Sequence, residues 1–332
     1  MDAHPYSRLT PDAVLDAVAA AGYAPDGRLL GLNSYENRVY QVWLEEGAGE
    51  DGRTGGSIVA KFYRPGRWTR AQIDEEHAFA RELAEREIPV VAPTQCGEFQ
   101  GFVFALYPRR GGRPPNLEDP KVLEWIGRFI GRIHSVGSSS AFKVRPSLNL
   151  ETFGKEPRAW LLEHAGIPAD VLPAWKAAVD QCLEQVARCY ERAGDVRTIR
   201  LHGDCHPGNI LWTEHGEQPG PHFVDLDDAR MGPAVQDLWM LLSGERASQA
   251  KQLRDVLAGY EDFMDLDRRE LNLVEALRTL RLIHYSAWIA RRWDDPAFPA
   301  AFPWFGTQRY WQDRILELKE QIALMEEEPL AA

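Results

Sequence analysis

Two hydrophobic periods follow one another along this chain, and the change between them divides it near residue 107. Thr10-Pro11-Asp12 offers a side-chain cap and a first-turn proline, and Val14, Leu15 and Val18 repeat at helical spacing, which predicts a helix ending near Ala21-Gly22. Strand-like runs follow at 29–32 and 39–44 and, after a glycine-rich acidic turn at 47–56, at 57–63 around Ile58, Val59 and Ala60. A helix is predicted over 69–84, with Ile73, His77, Phe79, Ala80 and Leu83 inward, and two more strands over 94–99 and 102–107. Residues 108–120 hold four prolines with Arg109, Arg110, Gly111, Gly112 and Arg113 and no apolar period, the signature of a connector.

Beyond the connector the period becomes helical. Val122, Leu123, Ile126, Phe129, Ile130 and Ile133 form one stripe, in which Gly127 and Gly131 permit close backbone approach. Trp175, Val179, Cys182, Leu183, Val186 and Cys189 form a second, so both cysteines read as core thiols. A third stripe runs through Leu273, Leu277, Leu280, Ile283, His284 and Trp288. An aromatic, proline-containing loop and a helix over 308–326 close the chain. The expected division is a small lobe over 1–107 and a larger, mainly helical lobe over 108–332.

A length of 332 residues, 44% of them hydrophobic and 27% charged, suits one large domain or two intimate lobes. The formal net charge of -12 disfavours a nucleic-acid partner, which rewards clustered Lys and Arg. Four widely spaced cysteines read as reduced thiols. Residues 1–6 do not lead from a basic start into a long apolar segment, and runs such as 103–106 and 239–242 are too short to span a bilayer. No membrane partner is expected, and the cytoplasm is the expected location.

The chemistry concentrates in Leu201-His202-Gly203-Asp204-Cys205-His206-Pro207-Gly208-Asn209-Ile210-Leu211-Trp212 and Phe223-Val224-Asp225-Leu226-Asp227-Asp228. Strands over 210–212 and 222–226 would flank a turn at 215–220, with Asn209 opening the first and Asp225 inside the second. Phosphoryl transfer needs such a set: Asp204 to orient a hydroxyl nucleophile and accept its proton, and hard oxygen ligands from Asn209 and Asp225 for Mg²⁺. A metal-hydrolase reading competes, with His202, Asp204, His206, Asp225 and Asp227 around zinc or manganese. That reading gives no task to Lys61, a strand lysine between Ala60 and Phe62 that must reach solvent or find a partner, nor to Glu75 or Glu76.

LHGDCHPGNILW with FVDLDDA resembles the aminoglycoside phosphotransferase and choline kinase-like superfamily, a branch of the protein kinase-like fold. Together with LNSYENRVYQV, VAKFYRPGRWT, EEHAF, GPAVQDLWMLL and RRWDDPAFP, these segments are similar to the bacterial stress response kinase family of serine/threonine kinases, over about residues 7–320. The resemblance implies an α+β, bilobal protein kinase-like fold with a small antiparallel-sheet N-lobe that binds nucleotide and a larger, mainly helical C-lobe. It implies ATP as co-substrate, Mg²⁺ as cofactor, and a monomer acting on protein serine or threonine; a small-metabolite hydroxyl is the alternative acceptor.

Residue by residue, Asp204 and Asp225 take the catalytic positions, Asp204 as base, while Asn209 and Asp225 take those of the Mg²⁺ ligands. Lys61 matches the phosphate lysine and Glu76 its helix partner, with Glu75 less favoured. Ser34, Tyr35, Glu36 and Asn37 occupy the place of the phosphate-covering loop, although only Gly31 remains of a glycine-rich pattern. Phe104, Leu106 and Tyr107 fit the adenine-contacting stretch. Asp237 is expected to anchor the catalytic segment, Asp227 and Asp228 to support the metal site, and Cys205 to be a small packing residue. Arg109, Arg110, Arg230, Arg291 and Arg292 are the expected readers of an acidic peptide.

Overall fold

The computed structural model describes residues 4–46, 55–215 and 219–331. Most of the turn expected at 47–56, and part of that at 215–220, lie outside them. In chain order the first elements are α1 (Pro11–Ala20), β1 (Pro25–Gly31), β2 (Arg38–Leu44), β3 (Ser57–Phe62), α2 (Arg70–Glu85), β4 (Gln95–Phe99) and β5 (Phe102–Pro108). Next come α3 (Pro120–Gly137), α4 (Glu156–His164), α5 (Leu172–Ala193), β6 (Thr198–Leu201), β7 (Ile210–Thr213), β8 (Gly220–Phe223) and β9 (Arg230–Pro233). The chain ends with α6 (Val235–Trp239), α7 (Arg246–Tyr260), α8 (Val274–Ala290), α9 (Ala297–Ala301) and α10 (Gln308–Glu326). These group into two compact units, Met1–Arg113 with Leu211–Asp227, and Pro114–Ile210 with Asp228–Ala332.

The first unit is built on an antiparallel five-stranded sheet of order β1-β2-β3-β5-β4. Thr10 caps α1 by accepting from the Ala13 N–H at 3.2 Å, and Thr69 caps α2 in a capping box with Gln72. Strand alternation sends Val42, Ala60, Phe62, Phe104 and Leu106 to one face, where they pack with Val14, Ala17 and Val18 of α1. The other face carries Lys61, and Ala105 and Tyr63 cluster there with Ile73 of α2. The β7–β8 hairpin belongs to this unit, because Val91 N–H donates to the Phe223 carbonyl at 2.9 Å and Trp212 N–H to that of Arg113 at 2.7 Å.

The second unit is mainly helical. Helices α3 and α7 cross at backbone contact: a Cβ on Gly127 would lie 2.0 Å from the Val256 carbonyl oxygen, and one on Gly259 would lie 2.0 Å from that of Glu124. Only hydrogen fits there, which explains the glycines inside a strongly apolar helical stripe. Helix α5 packs on α10 through Trp175 and Trp311, whose rings meet edge to face at 5.6 Å, with Cys182 and Cys189 buried alongside. Removal of either indole would cost about 3–5 kcal/mol. Among the described residues no helix is long and apolar enough to cross a membrane.

Candidate active site

In the first unit, β3 carries Lys61 into an interior where an isolated ammonium would be costly. Its side chain is 7% exposed, and its Nζ lies 2.9 Å from Asp225 Oδ1, 3.3 Å from Asp227 Oδ1 and 3.7 Å from Glu76 Oε1. Burial favours the neutral amine, but Asp225, Asp227 and Glu76 outweigh it and raise the Lys61 pKa well above its ordinary value. Glu76 is buried and Glu75 only half-buried, so the α2 carboxylate facing Lys61 is Glu76. Glu76 is itself held: Tyr63 Oη donates to Glu76 Oε1 at 3.0 Å and also meets His77 Nε2 at 2.7 Å and Tyr107 Oη at 3.2 Å. Since that hydroxyl has one proton, His77 supplies the Nε2–H of its contact. Burial first, then the Lys61 charge, push the imidazole pKa down to about 3 and keep it neutral.

Asp225 does not sit inside a strand, as the apolar run over 222–226 suggested. Strand β8 ends at Phe223, and Asp225 follows at φ 60, in the left-handed region, before a 3-10 turn at Leu226–Asp228. That conformation costs a non-glycine residue about 1–2 kcal/mol. It also turns the carboxylate out, leaving its side chain 49% exposed while Asp227 is 4% exposed. Asp227 closes the cluster inward: it accepts from Asn37 Nδ2 at 3.2 Å and pairs with Arg67.

The segment 34–37 divides accordingly. Asn37 and Glu36 are buried, with Asn37 Oδ1 accepting from Arg64 N–H at 3.0 Å and Glu36 within 3.5 Å of Arg67. Ser34 is half-buried and Tyr35 exposed. The adenine assignment needs a correction: Phe104 and Leu106 point into the α1 core, away from the face of Lys61. The Leu106 carbonyl already accepts from Thr94 N–H at 2.8 Å and Thr94 Oγ1 at 3.1 Å, so it is not available to a base edge. Period-two alternation is the reason, and of the three residues only Tyr107 shares the face of Lys61.

In the second unit, β6 delivers residues 202–209. The Asp237 carboxylate, on α6 and fully buried, accepts from His202 N–H at 2.8 Å and Gly203 N–H at 2.9 Å and lies 3.0 Å from His134 Nε2. Gly203 has φ 84, and a Cβ there would lie 2.2 Å from the Asp228 carbonyl oxygen, so no other residue fits. Asp204 follows, with Arg281 Nη1 2.6 Å from Oδ1 and with His206 Nε2 and Asn209 Nδ2 each 3.5 Å from Oδ2. Burial would raise this carboxyl, but the His206 hydrogen bond and the Arg281 guanidinium prevail and lower it to about 2. His206 Nδ1 accepts from Gly208 N–H at 3.0 Å, which leaves the proton on the Nε2 that faces Asp204.

Asn209 ends a 3-10 turn, and its Nδ2 donates to the Asp204 carbonyl at 3.0 Å, which turns Oδ1 the other way. Asn209 in this unit carries an amide oxygen, and Asp225 in the first unit carries a carboxylate; each is a hard donor of the kind that Mg²⁺ takes. His202 is buried with its Nδ1 accepting from Asp204 N–H, and among the described residues no three His, Cys, Asp or Glu side chains gather as a metal group. Cys205 is buried too, and burial raises its thiol pKa well above the usual value, as expected of a packing residue. Arg230 is not a surface reader of peptide: it is 5% exposed, paired with Asp228 and stacked 4.7 Å over Phe153. Sequence reasoning missed Tyr63, His77, Arg67 and Arg281; the spacing of Tyr63, two residues from Lys61 on a strand, was the available signal for the first.

A match to the phosphotransferase enzyme family spans residues 28–274, which includes Lys61, Glu76, Asp204, Asn209, Asp225, Asp227 and Asp237 and ends before Arg281. The chain belongs to that family. Its members move phosphoryl groups, in accord with a buried lysine amid carboxylates and a clamped, ionised aspartate. Stress response kinase A of Escherichia coli K12 is 43% identical over 330 residues, 98% of this chain and 96% of that protein. A Salmonella typhimurium protein called serine/threonine protein kinase RdoA is 43% identical over 334 residues, 99% and 97% of the two chains. Among solved structures, an amicoumacin kinase superposes with a TM-score of 0.67 at 16% identity, covering 95% of this chain and 94% of its own. The fold is therefore the bilobal α+β fold of these kinases, its small lobe built on the antiparallel sheet and its large lobe mainly helical.

Proposed function

We propose that this phosphotransferase moves the γ-phosphoryl group of ATP, in the presence of Mg²⁺, to serine or threonine hydroxyls of proteins, in a bacterial stress response in the cytoplasm. The observation that carries this reading is Lys61, kept charged in the interior by Glu76, Asp225 and Asp227. A buried ammonium of this kind is built for a polyanion, since a buried ion pair adds little net stability. Lys61 binds nucleotide phosphate oxygens, and Glu76, steadied by Tyr63, keeps its ammonium in position. Asn209 and Asp225 would each offer an oxygen ligand to Mg²⁺, which would supply neutralisation of phosphate charge. Asp204 orients the acceptor hydroxyl and takes up its proton, while Asp237 fixes the backbone from which Asp204 projects.

The protein acceptor is supported by the two relatives of near-equal length, one of which is called a serine/threonine protein kinase. Labelled γ-phosphate of ATP, offered with Mg²⁺ to protein acceptors and to a metabolite extract, tests the reading against an Asp204→Ala control. Label on serine or threonine that is absent with the control is the expected result. Label confined to a metabolite would overturn the acceptor assignment and keep the phosphotransferase.

A further inference from the structure

Asp204 has two unlike sides. Arg281 Nη1 holds Oδ1 tightly at 2.6 Å, while the contacts of Oδ2 with His206 and Asn209 are both loose at 3.5 Å. An acceptor hydroxyl can therefore turn its proton to Oδ2 without displacing Arg281. In that step the hydroxyl oxygen bonds to the γ-phosphorus, the bond from phosphorus to the ADP oxygen breaks, ADP leaves with that electron pair, and the hydroxyl proton passes to Asp204 Oδ2. Arg281 stays beside the reacting group. Its side chain is 39% exposed, and its guanidinium carries five N–H donors, of which the Asp204 contact uses one.

Arg281 also opens a row on α8. Tyr285 and Trp288 follow at four and seven residues, on the same helical face, with their rings stacked at 5.6 Å. Arg292 lies beyond, its guanidinium 5.3 Å over the Trp288 ring. At the helical rise this row runs about 16 Å from Arg281 to Arg292, the reach of about five residues of extended chain. Arg292 is held in place there, its Nη1 donating to the Trp288 carbonyl at 3.0 Å.

We propose that Arg281 is a specificity-determining residue on the acceptor side, binding a carboxylate of the protein segment that carries the acceptor serine or threonine. This rests on the protein-kinase reading. The charge-assisted contact is directional and partly shielded, so a flanking acid is worth about tenfold in kcat/KM.

The test uses two serine peptides that differ only in Glu or Gln beside the serine, assayed at saturating ATP with the wild type, Arg281→Met and Arg281→Lys. The wild type should favour the Glu peptide about tenfold, chiefly through KM; the Met variant should bring the ratio near one, and the Lys variant should restore part of it, since ammonium makes a less directional contact. A merely structural role for Arg281 would slow both peptides alike and leave their ratio intact, which would overturn the proposal, as would a wild type that does not discriminate. If the wild type labels neither peptide while transferring phosphate to a metabolite, the protein-kinase reading itself fails and the proposal falls with it.

Discussion

Glu270→Gln should stabilise this protein at alkaline pH and leave it nearly unchanged at acid pH. Glu270 is 3% exposed, and its Oε2 accepts from Val235 N–H at 2.8 Å, at the start of the helix that carries Asp237. Burial raises its carboxyl from 4.5 to about 7, with Asp267 adding to the rise and the Val235 and Ala234 N–H groups and Arg269 opposing it. The folded pKa lies above the unfolded one, so the folded chain keeps a proton that the unfolded chain releases. Stability from this group is complete below about pH 4.5 and is lost as pH rises through about 7. At 1.36 kcal/mol per pH unit, the loss approaches about 3 kcal/mol. Glutamine retains an oxygen for the Val235 N–H and has no charge to desolvate. Urea unfolding from pH 5 to 8.5 should give similar stabilities at pH 5 and a variant more stable by about 2–3 kcal/mol at pH 8.5. A pH-independent difference, or a wild type that is the more stable at pH 8.5, would refute the reasoning.

Asp237→Asn places an amide N–H₂ against one of two backbone donors and should cost about 3–5 kcal/mol in denaturant unfolding. It should lower kcat more than it raises KM for ATP; unchanged stability and kcat would contradict the clamp. Gly127→Ala drives a methyl into the Val256 carbonyl and should lower stability by about 2–3 kcal/mol, whereas Gly31→Ala, which meets nothing within 4 Å, should leave the unfolding midpoint nearly unchanged. Tyr63→Phe removes the hydroxyl that joins Glu76, His77 and Tyr107 and should weaken binding of a non-hydrolysable ATP analogue several-fold by titration calorimetry. An unaltered affinity would mean that Glu76 does not need its tyrosine.

Local physics was legible in the sequence wherever one residue settles it. Thr10 announces its helix because a cap is a contact within three residues. The glycine pair at 127 and 131 signals close approach without naming α7 as the partner, because that crossing joins distant segments. Lys61 demanded a partner; its helix offered both Glu75 and Glu76, and only the family resemblance favoured Glu76. The errors arise where backbone direction decides. Alternation from Lys61 through its cross-strand partner Ala105 puts Phe104 and Leu106 on the opposite face, a consequence that an isolated apolar run does not display. The left-handed turn at Asp225 ends β8 early, within an apolar stretch that reads as one strand. Arg281 stands 77 residues from Asp204, and nothing local to either residue predicts their contact.

Single-turnover phosphoryl transfer combined with nucleotide titration in Asp204→Ala and Asp225→Ala separates the roles proposed for these two aspartates. Asp204→Ala should bind an ATP analogue with near-wild-type affinity in Mg²⁺ and transfer almost nothing. Asp225→Ala should lose the Mg²⁺-dependent part of nucleotide binding as well as transfer. Phosphoryl transfer at wild-type rates in both variants would contradict the site assignment.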